Sequence, residues 1–262
     1  MRNEEPDYDD THINFLETLW GEGFLSPGGA TEVDLIIGEV DLNQKRILDF
    51  GCGCGGAIFH IAEKYSASEL LGVDIEESVI KRAKHLVAKK SFQQIAKFQL
   101  IKRDQLTFRE SSFDVVFSKD ALIHVPDKKR IFSQIYHVLK PGGHLIAGDW
   151  MTWDKGYRTT DMQDYLNAEG LDFHMSSLSS YNRDLVETGF VSICLQDRQE
   201  WYLSKATQEL HSLKNDLNSE IIEILGYKEA QRQIKVWEKM IVVLGSGEHR
   251  PGHFSAIKPI AT

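Results

Sequence analysis

The stretch Leu48-Asp49-Phe50-Gly51-Cys52-Gly53-Cys54-Gly55-Gly56 constrains this chain more than any other. An apolar strand from Arg46 to Phe50 runs into four closely spaced glycines and then into an amphipathic segment over about 57–64. Glycines let the backbone take positive φ and approach a ligand with no Cβ in the way. Strand, glycine loop and helix in that order open a βαβ unit, which belongs in a parallel sheet covered by helices. The alternation continues downstream. Residues 70–75 read as a strand, and 77–90 carry helical spacing with Val79, Ala83, Leu86 and Val87 on one side. Further strands are predicted at 98–104, 113–119 and 144–150, with a helix over 128–139. Lys140-Pro141-Gly142-Gly143 reads as the turn that stops this helix, without a chemical part.

Beyond 150 the pattern changes. Residues 151–182 hold Trp153, Tyr157, Tyr165, Phe173 and Tyr181 among many Asp and Ser, with no strong period. A strand is predicted at 191–198, a largely helical stretch at 203–244 and a closing strand at 253–258. The fold class that results is α/β, a doubly wound, mostly parallel sheet of seven strands with a helical insertion before the last. Open α/β sheets bind ligands at the carboxyl ends of their strands. Residues 1–30 are therefore expected as an N-terminal lid and 31–150 as the ligand-binding core. Residues 151–262 would supply a second lid, the insertion and the closing strands of the same domain. The 203–244 stretch suits a lid or a homodimer face, since both need one amphipathic side.

Thirty Lys and Arg against thirty-nine Asp and Glu give a formal charge of −9, which repels phosphate backbones and argues against nucleic acid or an anionic membrane. No apolar run approaches the roughly 18 residues of a membrane span. The opening MRNEEPDYDD is polar and acidic, unlike a secretory signal. Three cysteines make no disulfide framework, so a cytoplasmic location is expected. Cys52 and Cys54, one residue apart and without partner cysteines, read as small loop fillers, and no metal is expected.

The spacing Gly51-x-Gly53-x-Gly55 departs from the dinucleotide form G-x-G-x-x-G, and acids surround it. Asp49 precedes the loop. Asp74 ends the second strand, where a carboxylate accepts both hydroxyls of a ribose. Asp104 ends the third. With LDFGCGCGG, GVDI, KRD, FDVVFSKDALIHV and LKPGG, the chain resembles the class I S-adenosylmethionine-dependent methyltransferases, whose sheet is Rossmann-like. The resemblance implies S-adenosylmethionine as cofactor. Asp49, Gly51 and Gly53 would meet its methionine moiety, Asp74 its ribose, and Asp104 with Gln105 its adenine. Leu25, Ser26, Ile75 and Ser118 are the other cofactor positions it implies.

Two segments narrow the resemblance. Trp20-Gly21-Glu22-Gly23-Phe24-Leu25-Ser26-Pro27-Gly28-Gly29 and Ser118-Lys119-Asp120-Ala121-Leu122-Ile123-His124-Val125 are similar to segments of the phosphoethanolamine N-methyltransferases and their small-amine relatives. The similarity implies that Tyr8 and His124 meet over the active site as catalytic residues, with Asp120 orienting them or touching the acceptor. A histidine suits the task, because an amine must lose a proton on methylation and imidazole titrates near neutrality. The phosphate clamp of that family is altered. Trp150 stands at its first tyrosine position, Tyr165 is retained, Glu169 replaces an arginine and the lysine position falls near Met240. The expected acceptor is thus a small molecule, an unphosphorylated amine or amino acid of the glycine, sarcosine or dimethylglycine type. Trp150, Tyr165 and Tyr181, with Trp153 and Tyr157, are candidates to surround a methylammonium. The rival readings are a phosphobase held by Arg158, Arg183, Arg198 or Arg250, an oxygen or carbon acceptor, and a non-catalytic S-adenosylmethionine sensor.

Overall fold

A computed structural model describes residues 8–103 and 105–260. β1 (Arg46–Phe50) is apolar on both faces, as a strand covered on both sides must be. Successive side chains point to opposite faces. Leu48 and Phe50 thus pack towards α5 (Lys128–Val138) and α7 (Leu178–Thr188), and Ile47 towards α2 (Gly29–Ile37), α3 (Gly56–Lys64) and α4 (Glu77–Lys89). β1 sits centrally in a seven-stranded sheet of order β3-β2-β1-β4-β5-β7-β6. β2 (Glu69–Asp74), β3 (Ala96–Leu100), β4 (Phe113–Lys119) and β5 (Leu139–Asp149) run parallel to it. β7 (Gly252–Ile257) inserts antiparallel between β5 and β6 (Val191–Asp197).

A third apolar cluster caps the carboxyl edge of the sheet. It gathers Phe15 and Leu16 of α1 (Asp10–Trp20), Met162 and Tyr165 of α6 (Thr160–Glu169), and Tyr202 of α8 (Gln199–Lys214). Ile221 of α9 (Asn218–Leu225) and Trp237 and Met240 of α10 (Tyr227–Gly245) complete it. Within it the Glu209 carboxylate accepts from the indoles of Trp20 at 2.8 Å and Trp237 at 3.1 Å, joining α1 to α8 and α10. The helical insertion before the last strand is present as α8 to α10.

Three expectations need correction. Lys140-Pro141-Gly142-Gly143 lies within β5, where Gly142 at φ 78° donates to the Lys258 carbonyl at 2.8 Å. The pairing shifts register between Phe113 and Val115, so the glycines serve a bulge. β3 stops at Leu100, short of 104. The aperiodic 151–182 stretch contains α6 and the start of α7, whose N-terminal amides are taken up by Thr159 and Ser177. No helix among the described residues is long and apolar enough to cross a membrane.

Candidate active site

The strand ends of β1, β2 and β4 open into a cleft roofed by the α1–α2 loop. Gly51, at φ 74°, leaves β1 so close to the next segment that a Cβ there would fall 2.1 Å from that of Ala121. This tight passage brings the Gly53 amide onto Asp74 Oδ2 at 2.9 Å, while Asp74 Oδ1 accepts from the Glu76 amide at 3.0 Å. A carboxylate offers about four acceptor sites, so Asp74 retains capacity for a ligand's hydroxyls. Asp49 lies at the cleft floor, buried, and its Oδ2 has no hydrogen-bond partner. Desolvation first, and the Asp74 charge second, push its carboxyl up to about 8, against the pull of Lys119.

The opposite wall comes from the end of β4. Lys119 Nζ donates to Ser26 Oγ at 2.5 Å and pairs with Asp120 Oδ2 at 2.7 Å, fixing the roof loop to the sheet. Asp120 holds φ 53°, a left-handed conformation uncommon outside glycine, and its Oδ1 lies 3.4 Å from the Tyr202 hydroxyl. A short 3-10 turn, Leu122–His124, follows. The Ile123 amide donates to Asp149 Oδ1 at 3.0 Å, and burial pushes the Asp149 carboxyl up to about 7. His124 Nδ1 stands 3.3 Å from the Asp172 carbonyl and its ring 5.3 Å from that of Phe173. With the proton on Nδ1 facing that carbonyl, Nε2 is the basic nitrogen.

Tyr8, Leu25, Ser26, Asp49, Gly51, Gly53, Asp74, Ile75, Asp120 and His124 all line this one cleft. Other expected residues do not. Ser118 is buried and donates to the Phe50 carbonyl at 2.8 Å, stitching β4 to β1. Asp104 lies outside the described residues. Gln105 is exposed, its amide bonded to the Lys102 carbonyl at 3.2 Å, because the chain has already left β3 at Leu100. Ile101 and Arg103 line that side of the cleft instead. Tyr181 is fully buried against Phe132 and Phe254, with its hydroxyl on Asp149, so it belongs to the core and not to an acceptor site. Trp153 packs on the outside against Tyr157, itself 57% exposed. Trp150 and Tyr165 lie behind Phe173, which stacks edge-on to Trp150 at 5.8 Å. Sequence reasoning missed Lys119 and Tyr202. Lys119, inside a quoted motif, was the one within reach.

A methyltransferase-domain profile matches residues 41–218. The chain belongs to the methyltransferase-domain family. Phosphoethanolamine N-methyltransferase 3 of Arabidopsis thaliana is 28% identical over 95% of this chain and 50% of its own length. The phosphoethanolamine N-methyltransferase of Plasmodium falciparum is 25% identical over 97% of this chain and 94% of its own. The chain spans about half the length of the plant relative. In fold, this methyltransferase domain is similar to Haemonchus contortus phosphoethanolamine N-methyltransferase 2, solved with phosphomonomethylethanolamine and S-adenosylhomocysteine. That match has TM-score 0.88 and 24% identity over 97% of this chain and 59% of the other. A candidate sarcosine dimethylglycine methyltransferase from Galdieria sulphuraria matches with TM-score 0.82 and 22% identity over 98% and 99%.

Proposed function

We propose that this methyltransferase domain moves a methyl group from S-adenosylmethionine to the nitrogen of a small, unphosphorylated amine or amino acid. The charge of the cleft carries the acceptor reading. Asp74, Glu76, Asp120 and Asp172 line it against Arg103 and Lys119, and Lys119 is already paired with Asp120. Of the arginines weighed as a phosphate clamp, Arg183 is paired with Asp184, Arg198 with Glu32 and Arg250 with Asp197. Glu169 ends α6, its carboxyl pushed up to about 7 by desolvation, and Met240 is buried in α10. A like-charge contact at 4 Å costs on the order of 4 kcal/mol at an effective dielectric near 20, enough to disfavour a phosphate dianion.

The cleft suits the cofactor. The orphaned Asp49 Oδ2 asks for a donor such as an ammonium, and Asp74 keeps room for ribose hydroxyls. When bound, S-adenosylmethionine supplies an electrophilic methyl on a sulfonium. As the methyl passes from sulfur to nitrogen, His124 Nε2 would take the proton that the amine gives up. Tyr8 closes the cleft above this pair and Asp120 holds the acceptor's approach. In-line displacement makes such positioning the main contribution. Of the expected N-terminal lid, 1–30, the described residues 8–30 act with the insertion as lids over it. The free thiols Cys52, Cys54 and Cys194 suit a reducing cytoplasm.

A phosphobase acceptor is the second reading, favoured by Arg158. It lines a depression with Asp172 and Phe173, both of which touch His124. Release of S-adenosylhomocysteine, measured side by side, separates the two. We expect kcat/KM at least tenfold higher for an unphosphorylated amine. Preference for phosphoethanolamine or its methylated forms, lost in Arg158→Gln, overturns the reading.

A further inference from the structure

Behind Phe173 the rings continue inwards. Phe173 meets Trp150 at 5.8 Å, Trp150 meets His249 at 5.2 Å, and His249 stacks on Tyr165 at 5.7 Å and 28°. His249 is fully buried and Trp150 is 8% exposed. His249 is held firmly. Its amide donates to the Val243 carbonyl at 3.0 Å, and its Nδ1 lies 3.2 Å from the Met151 carbonyl. A carbonyl only accepts, so Nδ1 carries the proton and Nε2 is a lone-pair acceptor. Burial pushes the imidazole down to about 4, which keeps it neutral at physiological pH.

Three polar atoms of this ring cluster have no hydrogen-bond partner, the His249 Nε2 acceptor, the Trp150 Nε1 donor and the Tyr165 hydroxyl, the last of which has the Glu169 carboxyl as its neighbour. A buried polar group left unpaired lowers stability, and in native structures each such group calls for an explanation. The His249 and Trp150 atoms occupy touching rings, and the chain of rings ends at His124 in the cleft. One donor beside one neutral acceptor complements a group that itself donates and accepts, such as a hydroxyl. A carboxylate or phosphate, which only accepts, leaves the His249 lone pair opposed.

We propose that His249 and Trp150 form the far wall of the acceptor site. There they bind the hydroxyl of an unphosphorylated amino alcohol, Nε2 accepting and Nε1–H donating, while its amine faces His124. This rests on the reading of the cleft as an amine methyltransferase site. His249 then sets specificity without touching the reacting atoms.

The test compares ω-amino alcohols of increasing chain length with the alkylamines of matching length. Turnover is followed by S-adenosylhomocysteine release, and binding to the S-adenosylhomocysteine-loaded protein by calorimetry. The variants His249→Phe and Trp150→Phe keep a ring and delete the polar atom. The wild-type chain should favour the best amino alcohol over its alkylamine at least tenfold, since a site built for a hydroxyl rejects the analogue lacking it. Each variant should bring that ratio towards one by raising KM for the amino alcohol, with S-adenosylhomocysteine affinity unchanged and Tm equal or higher. Equal use of both series by the wild-type chain overturns the inference, as do variants that slow both series alike. If amines are methylated without that discrimination, only this inference fails. If no amine binds or is turned over, the amine reading fails and this falls with it. Should His249→Phe not fold, the Trp150→Phe ratio decides alone.

Discussion

Asp49 offers the sharpest physical test of the cofactor site. Its carboxyl, pushed up to about 8 by desolvation and by Asp74, holds a proton in the unliganded protein at neutral pH. An ammonium placed against its orphaned Oδ2 favours the ionised form, so binding must expel that proton. With a carboxyl near 8, the protonated fraction is about 0.9 at pH 7 and about 0.1 at pH 9. Binding of S-adenosylhomocysteine at pH 7 should therefore release up to about 0.9 proton. Its affinity should rise up to about tenfold per pH unit below 8 and level off near 9. Release of protons on binding gives this sign, and S-adenosylhomocysteine is the probe because it carries the ammonium without the sulfonium charge. Calorimetry at pH 7 in two buffers of different ionisation enthalpy reads the proton count directly. Asp49→Asn should abolish both the buffer difference and the pH slope. Identical enthalpies in the two buffers, with affinity flat from pH 6 to 9, would show that Asp49 faces no cation.

Three further outcomes are expected. Asp74→Ala should lower S-adenosylhomocysteine affinity by about one to three orders of magnitude while the fold persists, since each lost charged hydrogen bond is worth about 1.5–3 kcal/mol; an unchanged Kd removes Asp74 from the site. His124→Ala should lower kcat by about 10²–10⁴-fold with cofactor binding intact, and a loss in Tyr8→Phe that is not additive with it would show the two acting as a unit. The unliganded protein should lose stability from about pH 6.5 to 8, because Asp49, Asp149 and Glu169, pushed up to about 8, 7 and 7, hold protons in the native state that the unfolded chain has released. His249, pushed down to about 4, opposes this only below the ordinary histidine range. A Tm that climbs across that window contradicts the assignment.

The strand-end side of the cleft was legible in the sequence because its determinants are local. Short, almost continuous apolar runs identify β1, β2 and β4, closely spaced glycines permit the positive φ of the loop, and a strand's last residue lies at the sheet's carboxyl edge whatever surrounds it. The place of Asp74 follows from these rules, while Asp49, Gly51 and Gly53 were singled out by the family resemblance as well. Gln105 was misplaced by a strand end, which depends on where β3 stops pairing with β2.

The surroundings of the proposed acceptor were decided by packing between segments far apart in the chain. Tyr181 carries the same aromatic signal as Tyr165, yet α7 turns it into the core beside Phe132, while α6 sets Tyr165 on His249. Lys119 became a strut, joining Ser26 to Asp120. His249 gave no motif, since its partners Met151, Trp150 and Tyr165 are brought to it only when β7 closes against β5. Backbone conformation is encoded residue by residue. Which side chains share a buried space is a property of the assembled helices and sheet, settled jointly by volume, burial and the pairing of polar atoms.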